Sequence, residues 1–265
     1  MRIIYIYKKD KGRNYFLSFL FYIYKCEIMK VVGISDIHGQ LFSNKNIPDC
    51  DIVCICGDIM PLEIDRNIIA STAWFVGEFI PWCEKLPCKY VLFTPGNHDF
   101  LFDELYCKKM MTPMQIMKML LGNNKKNSKV KLLIDSSFEY EGKRFYGTPW
   151  CPNLSHWAFY KDSYSLEQAF KQIPLDADVV MTHCPSTMGD SGTILQQTWN
   201  FLKRLGCEEL TAELFDRQSF IKYALCGHIH SGDHNPLEIG GMKVVNVSIL
   251  DEDYKLHYKP FEFEI

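Results

Sequence analysis

From residue 30 onward, short continuous apolar blocks alternate with longer segments of helical periodicity. The blocks cover residues 30–34, 51–56, 89–94, 178–182 and 222–226. Each is rich in Val, Ile or Leu, as a strand buried on both faces requires. The alternation of such blocks with helical segments predicts stacked βα units around a parallel or mixed sheet.

The segments between the blocks predict helices and turns. Residues 66–85 read as a helix that Pro81 kinks or ends early. Residues 104–121 read as one helix, whose stripe Met110, Met114, Met117 and Leu121 is expected to pack against the core. Residues 123–129 are polar and basic and predict a mobile loop, and residues 141–142 and 251–253 predict hairpin turns.

Polar residues that suit chemistry follow each apolar block directly. They are Asp36-Ile37-His38, Gly57-Asp58, Gly96-Asn97-His98-Asp99, His183 and Gly227-His228-Ile229-His230. The carboxyl ends of strands in an open α/β sheet face one crevice, so residues distant in sequence meet there. We therefore expect these five segments to form one site.

The residue types in these segments favour a pair of divalent cations. Asp-x-His and His-x-His place two metal ligands on one short turn. Two divalent cations against Asp36 and Asp58 leave a net charge of about +2, which attracts a phosphate ester. Cations roughly 3.5 to 4 Å apart require a bridging ligand, and Asp58 is the carboxylate expected to bridge. Taken singly, each segment is more typical of a turn or a hydrogen-bonded histidine, but five in order favour a site.

Composition narrows the class of protein. The chain has 265 residues, 47% of them apolar, a formal charge of −3 and a pI near 6.2, which disfavours binding to long nucleic acid. Its 11 cysteines are odd in number, scattered and without a CxxC pair, which predicts reduced thiols and a cytoplasmic location.

Residues 1–28 differ from the rest of the chain. Four basic residues precede an aromatic run at residues 16–24, which is too short to span a bilayer. We expect an extension, non-native or poorly ordered, before one domain at residues 29–265. A weak membrane-surface anchor is the alternative interpretation of residues 1–28.

Together the five segments resemble the motifs of the calcineurin-like metallophosphoesterase superfamily, over about residues 29 to 250. The resemblance implies an α/β fold, a four-layer α/β/β/α sandwich with two mixed sheets. It also implies two divalent metal ions, Mn, Fe or Zn. One would be held by Asp36, His38 and His230, the other by Asn97, His183 and His228, with Asp58 bridging. Cys56, Cys184 and Cys226 lie near these residues, but the oxygen and imidazole ligands already suffice.

The same resemblance implies a catalytic role for His98, which would contact the phosphate beside Asn97 and protonate the leaving oxygen. The carboxylate that orients His98 is left open, since Asp99 is adjacent in sequence but has no assigned role. Asp58 is expected to be catalytic as well as metal-binding. Asn246-Val247-Ser248 looks like a recurrent Asn-x-Ser of the superfamily, and its match to a glycosylation sequon is expected to be accidental.

Further segments resemble a subfamily, the small metallophosphoesterase-domain proteins that are similar to cyclic-nucleotide phosphodiesterases. These segments are residues 146–150, 157–159 and 182–185. Trp150 is the residue expected to bind substrate by stacking on a base, with Trp157 and Phe159 as alternatives and core packing as the plainer interpretation. The protein-phosphatase pattern Gly-Asp-x-Val-Asp-Arg-Gly is absent, because the next Asp-Arg is displaced to Asp65-Arg66.

The sequence thus predicts a metal-dependent hydrolase in which hydroxide held by two metals attacks a small phosphodiester, such as a cyclic nucleotide. A phosphomonoesterase or protein phosphatase is the second hypothesis, and a nuclease is the third. A nucleotide-binding scaffold without activity is the alternative from another class of protein. The complete set of proposed ligands speaks against that alternative.

Overall fold

A computed structural model describes residues 4–10, 13–19, 28–122, 128–190, 192–196 and 201–265. The strands are β1 (Ile4–Asp10), β2 (Arg13–Phe19), β3 (Lys30–Ile34), β4 (Ile52–Cys56), β5 (Tyr90–Thr94), β6 (Val130–Leu132), β7 (Ser136–Tyr140), β8 (Lys143–Thr148), β9 (Val179–Thr182), β10 (Thr193–Gln196), β11 (Phe201–Arg204), β12 (Tyr223–Cys226), β13 (Leu237–Ile239), β14 (Met242–Asn246) and β15 (Phe261–Glu264). The α-helices are α1 (Ile68–Trp74), α2 (Ile80–Lys85), α3 (Phe100–Asp103), α4 (Pro113–Leu121), α5 (Ser163–Phe170) and α6 (Glu208–Arg217).

Two mixed sheets form the centre of the fold. One has five strands in the order β15-β3-β4-β5-β6, and the other has six in the order β13-β14-β12-β9-β8-β7. Strands β3 to β6 run parallel, and β15 joins them antiparallel at one edge. In the second sheet β8, β9, β12 and β14 are parallel, while β13 and β7 are antiparallel edges. The five predicted strands are all confirmed.

The sheets pack against each other through alternate residues of their strands. Successive side chains of a strand point to opposite faces, so Ile52 and Cys54 of β4 face the second sheet while Val53 and Ile55 face the helices. The core between the sheets also contains Val31, Leu92, Phe145, Val179, Met181, Leu225 and Val245. Both faces of the central strands are buried, which explains why they read as continuous apolar blocks.

Helices cover the outer face of each sheet and complete the four-layer arrangement. Phe75 and Phe79 lie against Phe93 of β5, with ring centroids 5.9 and 5.7 Å away. On the other side α5 and α6 pack together and bury Leu166, Phe170, Leu210 and Leu214 in the cluster that holds Val180 and Ala224. The predicted α/β/β/α sandwich is confirmed. No helix within the described ranges is long and apolar enough to cross a membrane.

The prediction of one continuous helix over residues 104–121 is wrong. A short helix and a π-helical segment end at Lys108, and α4 begins afresh at Pro113 with Thr112 as N-cap in a capping box with Gln115. Proline suits the first turn of a helix and clashes inside one, so Pro113 marks a start. Gly122 follows α4 with a φ of 76°, a conformation that favours glycine.

The methionine stripe divides because of this break. Met110 adopts a φ of 53° between the helices and is 82% exposed, and Met114 is 79% exposed. Met117 and Leu121 lie half-buried against the core. The prediction that the whole stripe packs against the core is therefore wrong for its first half, because the two segments do not share one helical register.

The effect predicted for Pro81 takes the form of a π-helical segment. Residues Phe75–Phe79 are π-helical between α1 and α2, and α2 then runs through Pro81 to Lys85. Proline has no N–H to donate to the preceding turn, and a π-bulge is one way to accommodate that loss. The helix is interrupted before the proline but does not end there.

The predicted turns differ in what they connect. Glu141 and Gly142 both have positive φ and join β7 to β8 as a tight hairpin. The turn at 251–253 is flanked by a single isolated antiparallel bridge, between Leu250 and Leu256, so the prediction of a hairpin there is wrong. Residues 123–127 of the predicted loop lie outside the described residues.

The predicted extension contains β1 and β2, which pair antiparallel with each other as a separate two-stranded sheet. Residues 20–27 lie outside the described residues. The division into residues 1–28 and 29–265 stays a prediction.

We predict that Phe75→Ala lowers the free energy of unfolding by about 3–5 kcal/mol, because a fully buried ring leaves a cavity. Phe75 is 0% exposed and contacts the rings of Phe79, Phe93 and Phe102. Urea denaturation measures the change. The matched control Phe215→Ala removes a ring that is 57% exposed, so it should shift stability by no more than about 0.5 kcal/mol. Equal losses in the two variants would contradict the packing described.

Candidate metal centre

The five polar segments lie in loops at the carboxyl ends of β3, β4, β5, β9 and β12, and the loops are bonded to one another. The Asp36 N–H donates to Gly57 O, and the His38 N–H donates to Asp58 O, both over 3.0 Å. The Gly227 N–H donates to His183 O over 2.9 Å. These bonds continue the strand pairing beyond the sheets, so the position of each loop depends on its neighbour.

Several of the proposed ligands occupy an uncommon backbone conformation. φ is 55° at Asp36, 40° at His38, 52° at Asp58 and 71° at His228. Residues other than glycine rarely adopt positive φ, and such strain concentrates at functional sites. The turns that bring the side chains into the crevice thus cost free energy that the surrounding fold supplies.

Asp36, His38 and His230 form the first cluster, with ligand atoms within 4.8 Å of one another. His230 Nε2 lies 3.4 Å from Asp36 Oδ1, and His230 Nδ1 lies 2.9 Å from the carbonyl oxygen of Asp251. Asp36 is fully buried, and its Oδ2 accepts hydrogen bonds from the Ser248 hydroxyl at 2.6 Å and the His228 N–H at 3.0 Å. The cluster matches the ligand set predicted for one metal.

Asp58 and His183 form the second cluster, together with Asp36. His183 Nε2 lies 2.9 Å from Asn97 Oδ1 and 3.3 Å from Asp58 Oδ2, while His183 Nδ1 lies 2.9 Å from the carbonyl oxygen of Cys56. The same Asp58 Oδ2 is 3.7 Å from His38 Nε2. One carboxylate oxygen of Asp58 therefore lies between a histidine of each cluster, the position that a bridging ligand needs.

His228 is placed less closely than the other proposed ligands. Its ring centroid is 5.0 Å from that of His183, and it belongs to neither of the close clusters found among the described residues. Burial, reinforced by the positive charge that His183 carries when protonated, lowers the pKa of His228 to about 4. A neutral imidazole is the form that binds a metal.

The hydrogen bonding of His183 shows that the second cluster needs positive charge. A histidine Nδ1 beside a carbonyl oxygen donates its proton, so Nε2 either carries a second proton or offers its lone pair to a metal. Nε2 faces oxygens of Asn97 and Asp58, and these three atoms repel unless a proton or a metal cation lies between them. His230, with Nδ1 on Asp251 O and Nε2 facing Asp36, repeats the arrangement. These residues fit divalent metals.

The pKa values of the cluster express the same demand for positive charge. Burial lowers the pKa of His183, but the negative charge of Asp58 and a hydrogen bond to it outweigh burial and raise that pKa to about 10. Burial opposes ionisation of Asp36 and Asp58, yet the neighbouring histidines hold both carboxyl pKa values well below the usual range. Without a metal, protons would have to supply the charge.

Two glycines keep the clusters open. A Cβ at Gly96 would lie 2.2 Å from Asp58 Oδ1, and a Cβ at Gly227 would lie 2.3 Å from Asp36 Oδ2. Atoms cannot approach so closely, so any side chain at these positions would displace a carboxylate. The absence of a side chain at these two positions leaves room for the carboxylates of Asp58 and Asp36.

His98 lies beside the clusters and is oriented by Asp65. Its Nδ1 is 2.8 Å from Asp65 Oδ2, and its ring centroid is 4.9 Å from that of His38. The His98 N–H donates to Asp58 Oδ1 over 2.8 Å, which fixes the backbone as well. The sequence left open which carboxylate orients His98. The displaced Asp65-Arg66 pair was the available signal, because it stands close to Asp58 in the chain.

Asp99 instead ties two of the loops together. Its Oδ1 accepts the N–H groups of Ile59 and Met60 over 3.0 Å each, and its Oδ2 accepts the Gly96 N–H over 2.7 Å. Burial and the negative charge of Asp58 raise the pKa of Asp99 to about 7 against these bonds. The side chain fixes the loops that carry Asp58 and His98, and it does not reach the histidine ring.

The two tryptophans have different surroundings. Trp150 is only 5% exposed, its indole N–H donates to Asp135 over 2.9 Å, and Lys161 Nζ lies 4.0 Å from its ring centroid. The ring beside His98 is that of Trp157, with centroids 4.5 Å apart. The predicted stacking role of Trp150 therefore gains no support from its position, because neither ring face is open beside the metal clusters.

The remaining sequence signals have structural explanations. Asn246 and Ser248 are both buried, and Ser248 bonds Asp36 while the Asn246 amide donates to Ile229 O over 2.7 Å. A buried Asn246 is out of reach of glycosylation. Burial raises the pKa of Cys56, and no cysteine belongs to the metal-binding clusters in the described ranges. Thiolate ligands are not needed.

Comparison with other proteins places this geometry in a family. Residues 29–232 match the family described as calcineurin-like phosphoesterase. The UPF0046 protein T07D4.2 of Caenorhabditis elegans is 27% identical over 91% of this chain and 61% of its own length, so this chain spans less than two thirds of that relative. Human metallophosphoesterase domain-containing protein 1 is 26% identical over 85% of this chain and 68% of its own.

A solved structure supports the fold independently. A Staphylococcus aureus protein whose name describes it as a 5'-nucleotidase superposes with a TM-score of 0.50 at 14% identity, over 89% of this chain and 54% of its own. Residues 29–232, which match the family in sequence, include all seven proposed ligands. The chain belongs to the calcineurin-like phosphoesterase family, whose members are metal-dependent phosphoester hydrolases.

Proposed function

We propose that this protein hydrolyses a small phosphodiester with the help of two divalent metal ions. The observation that carries the proposal is the pairing of His98 with Asp65 directly beside two clusters that could hold metal ions. A proton donor next to paired cations is the arrangement that phosphoester hydrolysis uses. Mn, Fe and Zn all suit the mixed oxygen and imidazole ligands.

The two clusters would divide the metals between them. Asp36, His38 and His230 would hold one, Asn97, His183 and His228 the other, and Asp58 both. When bound, the metals supply charge that draws the phosphate in and lower the pKa of water for attack. Asp36 and His230 are further fixed by Ser248 and by the Asp251 carbonyl, so the ligands are oriented before a metal arrives.

His98 would supply the proton that the leaving oxygen needs. The Asp65 carboxylate accepts a hydrogen bond from the Nδ1–H of His98, so Nε2 is the nitrogen left to face the substrate. Asp65 is buried, and its bond to His98 is short, so the ring is held in one orientation. Asn97, the neighbouring residue, would contact the same phosphate group.

A diester is the proposed substrate, and a monoester is the alternative. A phosphate diester carries one negative charge, whereas a monoester approaches two near neutral pH. Arg66 lies near His98, over the rings of Phe100 and Trp157 at 4.2 and 4.8 Å, and donates to His156 O. Its other N–H groups are available to a second negative charge, so a comparison of diester and monoester rates decides between the two substrates.

The setting proposed for this reaction is the reducing cytoplasm. The ten cysteines in the described part of the chain are all in the thiol form, and seven of them are buried. Buried thiols suit a reducing compartment. The formal charge of −3 supports a small substrate over long nucleic acid.

We predict that His230→Ala reduces bound manganese from about two equivalents to about one, because one ligand set loses a member. Asp58→Asn should weaken both sites, since its carboxylate contacts both sets. Equilibrium dialysis followed by elemental analysis measures the metal.

The matched control is His156→Ala, which removes an exposed histidine that lies outside both clusters. It should keep the metal content of the wild type. Wild-type metal content in both His230→Ala and Asp58→Asn would refute the proposed ligand sets.

We predict that His98→Ala lowers kcat by about 10²–10⁴-fold for diesters with an alkyl leaving group, because general acid catalysis contributes that much. The loss should be smaller for a para-nitrophenyl leaving group, which departs with little protonation. Asp65→Asn should show the same dependence on the leaving group with a smaller loss. Steady-state kinetics with metal-loaded enzyme measures both.

The control here is Asp49→Asn, which neutralises an exposed carboxylate elsewhere on the surface. It should leave kcat unchanged. If His98→Ala slows all leaving groups equally while binding the full amount of metal, His98 is not the acid.

A further inference from the structure

Tyr254 contacts both histidine rings of the first metal cluster, and His98 contacts His38 but not Tyr254 among the described aromatic contacts. Its ring centroid is 5.0 Å from that of His38 and 5.1 Å from that of His230, at interplanar angles of 75°. Trp157 contacts His98 at the opposite end of this row of rings. Among the described aromatic contacts, none joins Tyr254 to His98 or Trp157 to His38. Tyr254 and Trp157 therefore lie at opposite ends of the row of histidine rings.

The loop that carries Tyr254 is built to hold it there. Tyr254 has a φ of 57°, which is rare for a large side chain and marks a strained position. The side-chain amide of Gln40 donates to its carbonyl oxygen over 2.6 Å, and its own N–H donates to Asp251 O over 3.0 Å. That same Asp251 oxygen accepts from His230. The tyrosine and the proposed ligand are therefore positioned by one carbonyl group.

The side chain of Tyr254 remains accessible. The residue is 40% exposed, and none of the described residues hydrogen-bonds its hydroxyl group. A buried tyrosine usually finds a partner for its hydroxyl, whereas one at a binding surface presents an apolar ring with a polar tip. Tyr254 has the second character, and core packing does not explain its position.

We propose that Tyr254 binds the organic substituent of the phosphodiester that stays on the phosphorus, and that this substituent is aromatic. The inference rests on the proposed function. His98 protonates the leaving oxygen, so the leaving group lies at the end of the row with His98 and Trp157. The second substituent then extends over His38 and His230, where the Tyr254 ring forms the wall.

This placement explains how one site distinguishes two classes of ester. A monoester has a leaving group but no second substituent, so it does not reach Tyr254. An aryl or nucleoside diester reaches both ends of the row, and contact between aromatic rings adds binding free energy beyond the buried area. Tyr254 is therefore a substrate-binding residue that selects diesters with a planar second group.

The test compares three substrates that share one leaving group, para-nitrophenolate. They are bis-(para-nitrophenyl) phosphate, methyl para-nitrophenyl phosphate and para-nitrophenyl phosphate, whose second substituents are an aryl ring, a methyl group and none. Tyr254→Asn removes the ring while suiting the left-handed backbone, which Asn tolerates. Tyr254→Phe keeps the ring and removes the hydroxyl. Tyr164→Asn is the matched control at a tyrosine that is 73% exposed on α5.

We expect Tyr254→Asn to raise KM for the bis-aryl ester by about tenfold, the size of one aromatic contact, with kcat changed less than about twofold. The methyl diester and the monoester should change by less than about twofold. Tyr254→Phe and Tyr164→Asn should match the wild type on all three. Metal content should stay at the wild-type level throughout.

Two results would overturn the inference alone. One is an equal loss on all three substrates with Tyr254→Asn. The other is a fall in bound manganese in that variant, which would show that the ring supports His38 and His230 and does not contact substrate. Hydrolysis of none of the three esters by metal-loaded wild-type protein would overturn the proposed function itself, and the inference with it.

Discussion

The whole centre depends on one electrostatic constraint, which is that His183 Nε2 faces the oxygens of Asn97 and Asp58 at 2.9 and 3.3 Å. The bond from His183 Nδ1 to the Cys56 carbonyl fixes this direction. Electron pairs gathered at one point in a buried, low-dielectric setting are unfavourable unless a proton or a metal cation lies between them. The fold therefore holds a binding site whose free energy is recovered only when positive charge is present.

The sheets and loops supply the restraint that such a site needs. Adjacent parallel strands deliver the segments to one edge, and hydrogen bonds between the loops extend the strand order into the crevice. Asp99 joins the loop after β4 to the loop after β5 through three backbone N–H groups. Residues at positive φ then remain in place because the surrounding bonds over-determine them.

The proposed determinants of specificity lie at the rim of the centre, where aromatic rings and a stacked arginine surround the row of histidine rings. Arg66 is held over Phe100 and Trp157, and Tyr254 stands over the first cluster. Arg66, Trp157 and Tyr254 come from loops outside the five polar segments, whereas the candidate ligands lie at strand ends. Under the proposed function, the chemistry and the choice of substrate are therefore assigned to different parts of the structure.

The sequence by itself determined the five strands, the α/β class and the candidate ligands, because buried strands read as apolar blocks and the candidate ligands follow them at short fixed spacing. Only the tertiary structure shows that Asp65 orients His98, that Asp99 joins two loops and that Trp157 and Tyr254 flank the site. It also shows that a separate helix begins at Pro113 and that Met114 is exposed. The periodicity of apolar residues shows which face of a segment is buried. A contact between two loops depends on the backbone conformation of each turn, and the spacing of residues along the chain does not give that conformation.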